Sequence, residues 1–470
     1  MNPELGVVDG EASDASVDTS ALFRQGIGLM QQGRHGDAEQ SFLRVLEADP
    51  DHVDTLRHYS GLCSMYGVLG RSAGMLEHAV EVATDCADAW RMLGATYQGL
   101  GREVDAGVAF RKANLLAPLA PNTLWGLALH CLKTGDWTTG WNLYRWGRVV
   151  GARRYRTLQE PWDGIRDLRD KTLLVWSEWG QGDGIMMMRF VKILKYHFPR
   201  TRIVVEQHPA LMGLFSDWPC IDFQYPQTED ASIPIPFDEH ISLLDLPGVL
   251  CLTIDDLERN RCGMADAYVR PDPEAVARWA SWMRDKGYLD DVGQMLVDDA
   301  IARMVDPDYE TFHRPPNLRP SVGVCWMGNP THPNDRHRSV PGDLIQAWCE
   351  GLKGVRAVPL HPEVLPVQGW DETAAIVANL DLVVTVDTAV AHLAGAMGKP
   401  VWILLPANSD FRWLMDRDDS PWYPSARLYR QTTLANWEAV LDRVGDDLAR
   451  WRDQGRERLV AHVTDEPVEA

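Results

Sequence analysis

Four segments of this chain carry residue types that bind an anionic group or move a proton. The first is Leu382-Val-Val-Thr-Val-Asp-Thr-Ala-Val-Ala-His-Leu-Ala-Gly-Ala-Met-Gly398. It reads as a buried strand, a turn at Asp387-Thr388 and a short helix, with Asp387 where an N-cap belongs and Gly398 where a helix must stop. Ala389, Ala391, Ala394, Gly395 and Ala396 keep that helix thin. Its N-terminus can then approach a ligand, and free N–H groups at the positive end of the dipole suit a phosphate. An ordinary capped crossover helix fits the same spacing.

The second segment is Glu178-Trp-Gly-Gln-Gly-Asp-Gly184. A dinucleotide reading fails, because the glycines run G-x-G-x-G and Asp183 puts a carboxylate where a pyrophosphate should sit. Asp183 suits general-base chemistry better, since a helix N-terminus keeps a carboxylate ionised and ready to accept a hydroxyl proton. A plain helix cap suits it equally. The third segment, Met327-Gly-Asn-Pro-Thr-His-Pro-Asn-Asp-Arg-His-Arg-Ser-Val-Pro341, follows a strand. Arg336 and Arg338 offer positive charge for a diphosphate, and Asn329 and Ser339 offer neutral hydrogen bonds. The fourth, residues 406–424, brings Phe411, Trp413, Trp422 and Tyr423 for stacking on a sugar or base, and Arg412 for phosphate.

The elements that must position these residues are α/β units. Thr172–Ser177 and Arg202–Glu206 predict strands around a helix from Ile185 to about His197. Ser321–Trp326, Ala357–Leu360, Leu382–Val386 and Val401–Leu405 predict a second series. Two such series suggest two Rossmann-like domains facing across a cleft. Residues 270–320 read as a helix plus the connector between them, and Trp437–Arg450 as an amphipathic packing helix.

The first third is a repeat array. Gly33, Gly70, Gly101 and Gly135 anchor four segments whose mean period is the tetratricopeptide value of about 34. The third is clearest, through Trp90, Leu93, Gly94, Tyr97, Ala106, Phe110, Ala113 and Pro118. The second is irregular, with Met75 and Ala79 where a small residue and an aromatic are expected. One repeat cannot bury its own apolar face, so four stack into a short solenoid whose groove suits a peptide or partner helix.

Composition narrows the function. The 470 residues carry a formal net charge of −21, which argues against nucleic acid and against anionic membrane. No run of 18 apolar residues is present to span a bilayer. Eight cysteines are scattered without metal-ligand or redox spacing, as in a reduced cytoplasmic protein. Met1–Ser20 is acidic and small-residue-rich and reads as a disordered leader rather than a signal peptide.

Residues 171–190, 321–341 and 380–430 resemble family-nine glycosyltransferases, the ADP-heptose:lipopolysaccharide heptosyltransferase type. They look most like bacterial proteins that join this domain to tetratricopeptide repeats. The matches are Gly182-Asp183, Trp326-Met-Gly-Asn-Pro330 and Asp387-Thr-x-x-x-His392. The resemblance implies a GT-B fold, metal-free inverting transfer, Asp183 as catalytic base, and donor contacts from the Asp387-Thr388 turn. Ala389 stands where heptosyltransferases usually have Gly, so ADP-heptose is not carried over as donor.

The expected organisation is a leader (1–20), about four repeats (21–150), an acceptor-side Rossmann-like domain (165–315), a nucleotide-sugar domain (316–455) and a tail (456–470). The expected donor site is Asn329, Arg336, Arg338, Asp387, Thr388, Ala389 and His392, with Trp413 and Trp422 for stacking and no metal or cofactor. The expected activity is transfer from a nucleotide-diphosphate sugar to a hydroxyl on a protein held by the repeats. Two alternatives are a lipopolysaccharide or other surface-glycan acceptor, and a repeat scaffold with an inactive transferase-like domain.

Overall fold

The computed structural model describes residues 18–178, 180–228, 232–289, 319–332, 334–361, 364–367 and 369–453. The chain divides into two compact units, the first ending at Gly126 and the second beginning at Leu127. The leader up to residue 17, the 290–318 part of the connector and the tail lie outside the described residues.

The first unit is a helical solenoid built from hairpins. They are α1 (Thr19–Gln31) with α2 (His35–Ala48), α3 (Val53–Met65) with α4 (Leu69–Val82), and α5 (Ala87–Gly99) with α6 (Glu103–Leu116). The start of α7 (Pro121–Thr134) follows. Each hairpin turns on a glycine with positive φ: Gly33 (74°), Gly67 (75°) and Gly101 (76°), each 34 residues after the last. The next residue closes each turn through its N–H, as Arg34 to the Leu29 carbonyl (2.9 Å), Val68 to Cys63 (2.9 Å) and Arg102 to Tyr97 (2.8 Å).

This corrects the sequence register, because the second turn uses Gly67 while Gly70 lies within α4. The irregularity disappears with it. Ser72 and Leu76, not Met75 and Ala79, then align with Ala38 and Phe42 and with Ala106 and Phe110, and all six are buried. Either glycine of Gly67-Val-Leu-Gly70 satisfies a turn pattern; only the backbone conformation separates them. Gly67→Ala is therefore expected to destabilise the solenoid by about 1–2 kcal/mol, because L-residues are strained in the left-handed region. Gly70→Ala, whose added Cβ meets open space, should be neutral or stabilise by up to about 1 kcal/mol. Urea midpoints of the two variants check the pair.

The second unit opens with the rest of α7 and α8 (Trp137–Tyr144), joined at Gly135 (φ 93°), then α9 (Trp146–Val149). Two parallel sheets follow. In the first, β1 (Thr172–Trp176), β2 (Arg202–Gln207), β3 (Phe223–Pro226) and β4 (Glu239–Ser242) lie in the order β3-β2-β1-β4. Its helices are α10 (Gln181–His197), α11 (Leu246–Val249) and α12 (Ile254–Glu258), while α13 (Pro273–Asp285) packs on the Trp370–Ala378 helix of the second sheet.

In the second sheet, β5 (Ser321–Cys325), β6 (Arg356–Pro359), β7 (Leu382–Val386), β8 (Val401–Leu405) and β9 (Ala426–Arg430) lie in the order β6-β5-β7-β8-β9. It carries α14 (Asp335–Arg338), α15 (Gly342–Gly351), α16 (Trp370–Ala378), α17 (Ala389–Ala396) and α18 (Glu438–Asp453). The central strands β7 and β8 are buried along their whole length, as expected of parallel strands covered on both faces. Val440, Leu441, Val444, Leu448 and Trp451 place one face of α18 on that core. The architecture is thus a tetratricopeptide-like solenoid followed by two Rossmann-like sheets of the GT-B kind.

Candidate functional site

Ligands of open parallel sheets sit beyond the carboxyl ends of the strands, where the strand order reverses. In the first sheet that point lies between β1 and β4, and in the second between β5 and β7. The four segments that follow those strands carry Asp183, Asp245, residues 327–341 and the Asp387-Thr388 turn.

Asp183 lies in the first turn of α10, whose N-cap is Gly180, so it is not the capping residue. Its carboxylate is ion-paired with Arg412 from the loop after β8, and the Arg412 Nη1 also meets Asp410 at 2.6 Å. Burial pushes the Asp183 carboxyl up, while Arg412 draws it back down. Two aromatic rings adjoin it: the Tyr144 ring lies 6.0 Å from that of Phe411, which carries the Arg412 guanidinium at 4.5 Å. Beside this, Arg148 and Arg153 form a buried ion-pair network with Glu178 at the end of β1 and Asp245 beyond β4. That network fastens the segment after the repeats to the edge of the first sheet.

The helix expected after β7 is α17, and its cap is Thr388 rather than Asp387. The Thr388 hydroxyl oxygen accepts from the Val390 N–H at 3.3 Å, and Gly398 (φ 67°) ends the helix as expected. Asp387 is displaced from the capping position because Thr388 already has the extended backbone of a cap. α10 and α17 meet at their first turns. A Cβ on Gly182 would lie 2.8 Å from the His392 ring and 3.3 Å from the Ala389 Cα, so the approach depends on glycine. The thinness of α17 admits a side chain as well: Gly395 faces the Tyr423 ring, where a Cβ would stand 2.4 Å away.

His392 is buried, stacked on Trp413 with centroids 5.3 Å apart, and within 3.0 Å of the Tyr423 hydroxyl through Nδ1. Burial, then Arg412, hold its pKa down to about 3, so the ring is neutral at ordinary pH. Asp387 shifts the other way. Burial and then Asp410 push its carboxyl up to about 6 from 3.8. A carboxyl raised on folding contributes stability below its unfolded value, and that contribution is lost as pH rises through about 6. Asp387→Asn should therefore gain melting temperature over the parent protein as pH rises from about 4 to about 6 and keep that gain above it, with little difference at the acid end. A difference that does not widen with pH would remove the strained carboxylate.

Arg338 donates from Nε to Asp335 at 3.1 Å and from Nη1 to the Asp387 carbonyl at 3.1 Å, which ties the 327–341 loop to the β7 turn. Asn329 and Arg336 bond within their own loop. The Asn329 Oδ1 accepts from the Thr331 N–H at 3.0 Å, and the Arg336 Nε donates to His337 at 3.2 Å. Trp413 and Trp422 lie differently from the stacking surface expected of them. Both are fully buried, Trp413 against His392 and Trp422 against Trp137 of α8 at 4.9 Å. Their faces are taken because the loop after β8 folds inward to pack on α8.

Sequence reasoning passed over Asp410 and the role of Gly182. The pair Asp410-x-Arg412 is a usable signal, since an acid two residues from a base in a strand-end loop can orient it; nothing local marks Gly182 as a helix–helix contact. Among the described residues no group of three His, Cys, Asp or Glu side chains is placed as a metal would need. None of the described helices is long and apolar enough to cross a membrane.

A helical-repeat unit and a pair of Rossmann-like sheets with charged loops at both switch points define a GT-B-like glycosyltransferase architecture. Residues 352–431, which span β6 to β9, match the model of glycosyltransferase family 9 (heptosyltransferase). Protein FlbA of Caulobacter vibrioides is similar to this chain, 23% identical over an alignment of 451 positions that covers 89% of this chain and 71% of that one. Among solved structures, MamA from Desulfovibrio magneticus RS-1 is 21% identical over 29% of this chain and 75% of its own, with a TM-score of 0.25. Pseudomonas aeruginosa pilF is 16% identical over 28% of this chain and 62% of its own, with a TM-score of 0.27. The region matched to family nine thus shares one chain with the helical hairpins described above.

Proposed function

We propose that this protein is an inverting, metal-independent glycosyltransferase that moves a sugar from a nucleotide-diphosphate donor to a hydroxyl on a protein acceptor. The observation that carries the reading is the meeting of the first turns of α10 and α17. It sets a carboxylate, Asp183, on one sheet's switch point and a helix N-terminus, at Thr388, on the other. In the reaction Asp183 accepts the acceptor's hydroxyl proton as its oxygen attacks the sugar C1. The C1–oxygen bond to the diphosphate breaks from the opposite face, and the diphosphate leaves with the electron pair. Arg338, Arg336 and the positive end of the α17 dipole supply the positive potential that receives it. Asn329, Asp387, Ala389 and His392 shape the donor pocket around that point.

The solenoid supports a protein or peptide acceptor, because stacked hairpins expose a long concave face. All eight cysteines are unpaired, which supports a reducing, cytoplasmic setting.

Differential scanning against a panel of nucleotide-diphosphate sugars at millimolar concentration tests the donor. A ligand present at 100 times its Kd should add about 2.7 kcal/mol to the folded state. Removal of residues 1–126 should keep that stabilisation and abolish transfer to a protein acceptor. A panel in which no nucleotide raises the melting temperature would refute the transferase reading, and transfer that survives the deletion would refute the role of the repeats.

A further inference from the structure

The guanidinium of Arg412 is more committed than a phosphate ligand should be, and less than a structural arginine. Nη2 is held by Asp183 from the first sheet and Nη1 by Asp410 from its own loop, while Nε is buried without a hydrogen-bond partner. Two carboxylates thus share one fork, and the Asp387 carboxylate crowds the same charge. Its place is fixed by packing: the guanidinium lies over the Phe411 ring, and the Arg412 carbonyl accepts from the Trp422 indole N–H at 2.8 Å. A doubly anionic group entering this site would compete with both carboxylates for the fork, since bidentate oxygen pairs are what a guanidinium binds best.

On the reading of Asp183 as base and a diphosphate as leaving group, we infer that Arg412 is shared between the two. It pairs with Asp183 as arranged here, and a donor diphosphate draws it away. The exchange leaves Asp183 without its counter-ion and able to take the acceptor's proton. Base activation would then be tied to donor occupancy, and Arg412 is a positioning residue for Asp183 as well as a donor contact.

A base competing with the donor for Arg412 must weaken donor binding, and the coupling is reciprocal. Asp183→Asn, near-isosteric and uncharged, should therefore tighten binding of a nucleoside diphosphate by about 5- to 50-fold, in the range of ordinary coupling between sites. Calorimetric titration with ADP, GDP, UDP and CDP on the full chain measures this. The same titration on Arg412→Gln and on the double variant separates exchange at Arg412 from general loss of negative charge. In the Arg412→Gln background the gain from Asp183→Asn should shrink to less than about twofold. Should Arg412→Gln fail to fold, Arg412→Lys keeps the charge without the fork and should also reduce the gain.

Unchanged or weaker binding in Asp183→Asn overturns the inference, as does a gain that persists in full without the Arg412 fork. Arg338→Ala serves as the reference. If it weakens binding while Asp183→Asn does nothing, the donor site stands and only the sharing of Arg412 falls. If the parent protein binds none of the four nucleotides, the proposed function falls and this inference with it.

Discussion

Asp183→Asn is expected to lower the transfer rate by about 10²–10⁴-fold, the usual contribution of a general base. The substitution keeps the shape of the side chain and an oxygen to accept from the Gly180 backbone, while removing the proton acceptor. Asp183 is not the N-cap of α10, a position held by Gly180, so the structural cost of Asn is small. The lost ion pair with Arg412 has a partner in reserve, because Asp410 still holds Nη1. The melting temperature should accordingly stay within a few degrees of the parent, equivalent to about 1 kcal/mol in a domain of this size. Rate, melting temperature and nucleotide affinity measured on one preparation decide the assignment. Near-normal transfer in a folded variant would assign the base elsewhere.

Arg338→Ala is the second large effect. It should weaken nucleotide-diphosphate binding by about 1.5–3 kcal/mol, the range of a charge-assisted hydrogen bond. Part of that loss is positional, because Arg338 also bonds the Asp387 carbonyl and Asp335, and so holds the 327–341 loop on the turn before α17. Arg338→Lys separates the two contributions. It restores charge to the diphosphate without the fork that bridges two acceptors, so an affinity recovered by Lys assigns the effect to charge. Calorimetry showing the same affinity in Arg338→Ala and the parent would exclude the residue from the site.

Much of the fold was legible because its signals are local. The strands Leu382–Val386 and Val401–Leu405 are apolar runs interrupted only by Thr385, as expected of parallel strands buried on both faces. The helix stop at Gly398 rests on a single backbone conformation that glycine favours. The strands that escaped notice, Phe223–Pro226, Glu239–Ser242 and Ala426–Arg430, mix polar residues with apolar ones and so lack an apolar run. Glu239 can be buried in a strand because Arg166 reaches it from a distant loop at 3.0 Å, a pairing that no periodicity records.

Sequence alone determined the repeat architecture, the two α/β series and the residue types available at the strand ends, since each follows from neighbours within one element. The tertiary structure decided which side chains meet. Asp183 and Arg412 are 229 positions apart in the chain, and nothing local to either foretells their ion pair. It likewise turned Trp413 and Trp422 from expected stacking surfaces into core, because the loop that bears them packs Trp413 on His392 of α17 and Trp422 on Trp137 of α8 rather than leaving them to solvent. Between Gly67 and Gly70 the residue type was the same, and only the backbone dihedral, set by how two helices close on each other, chose the turn. Local chemistry thus named the parts, while contacts between elements far apart in sequence, worth more in buried area than any local preference, assigned them their places.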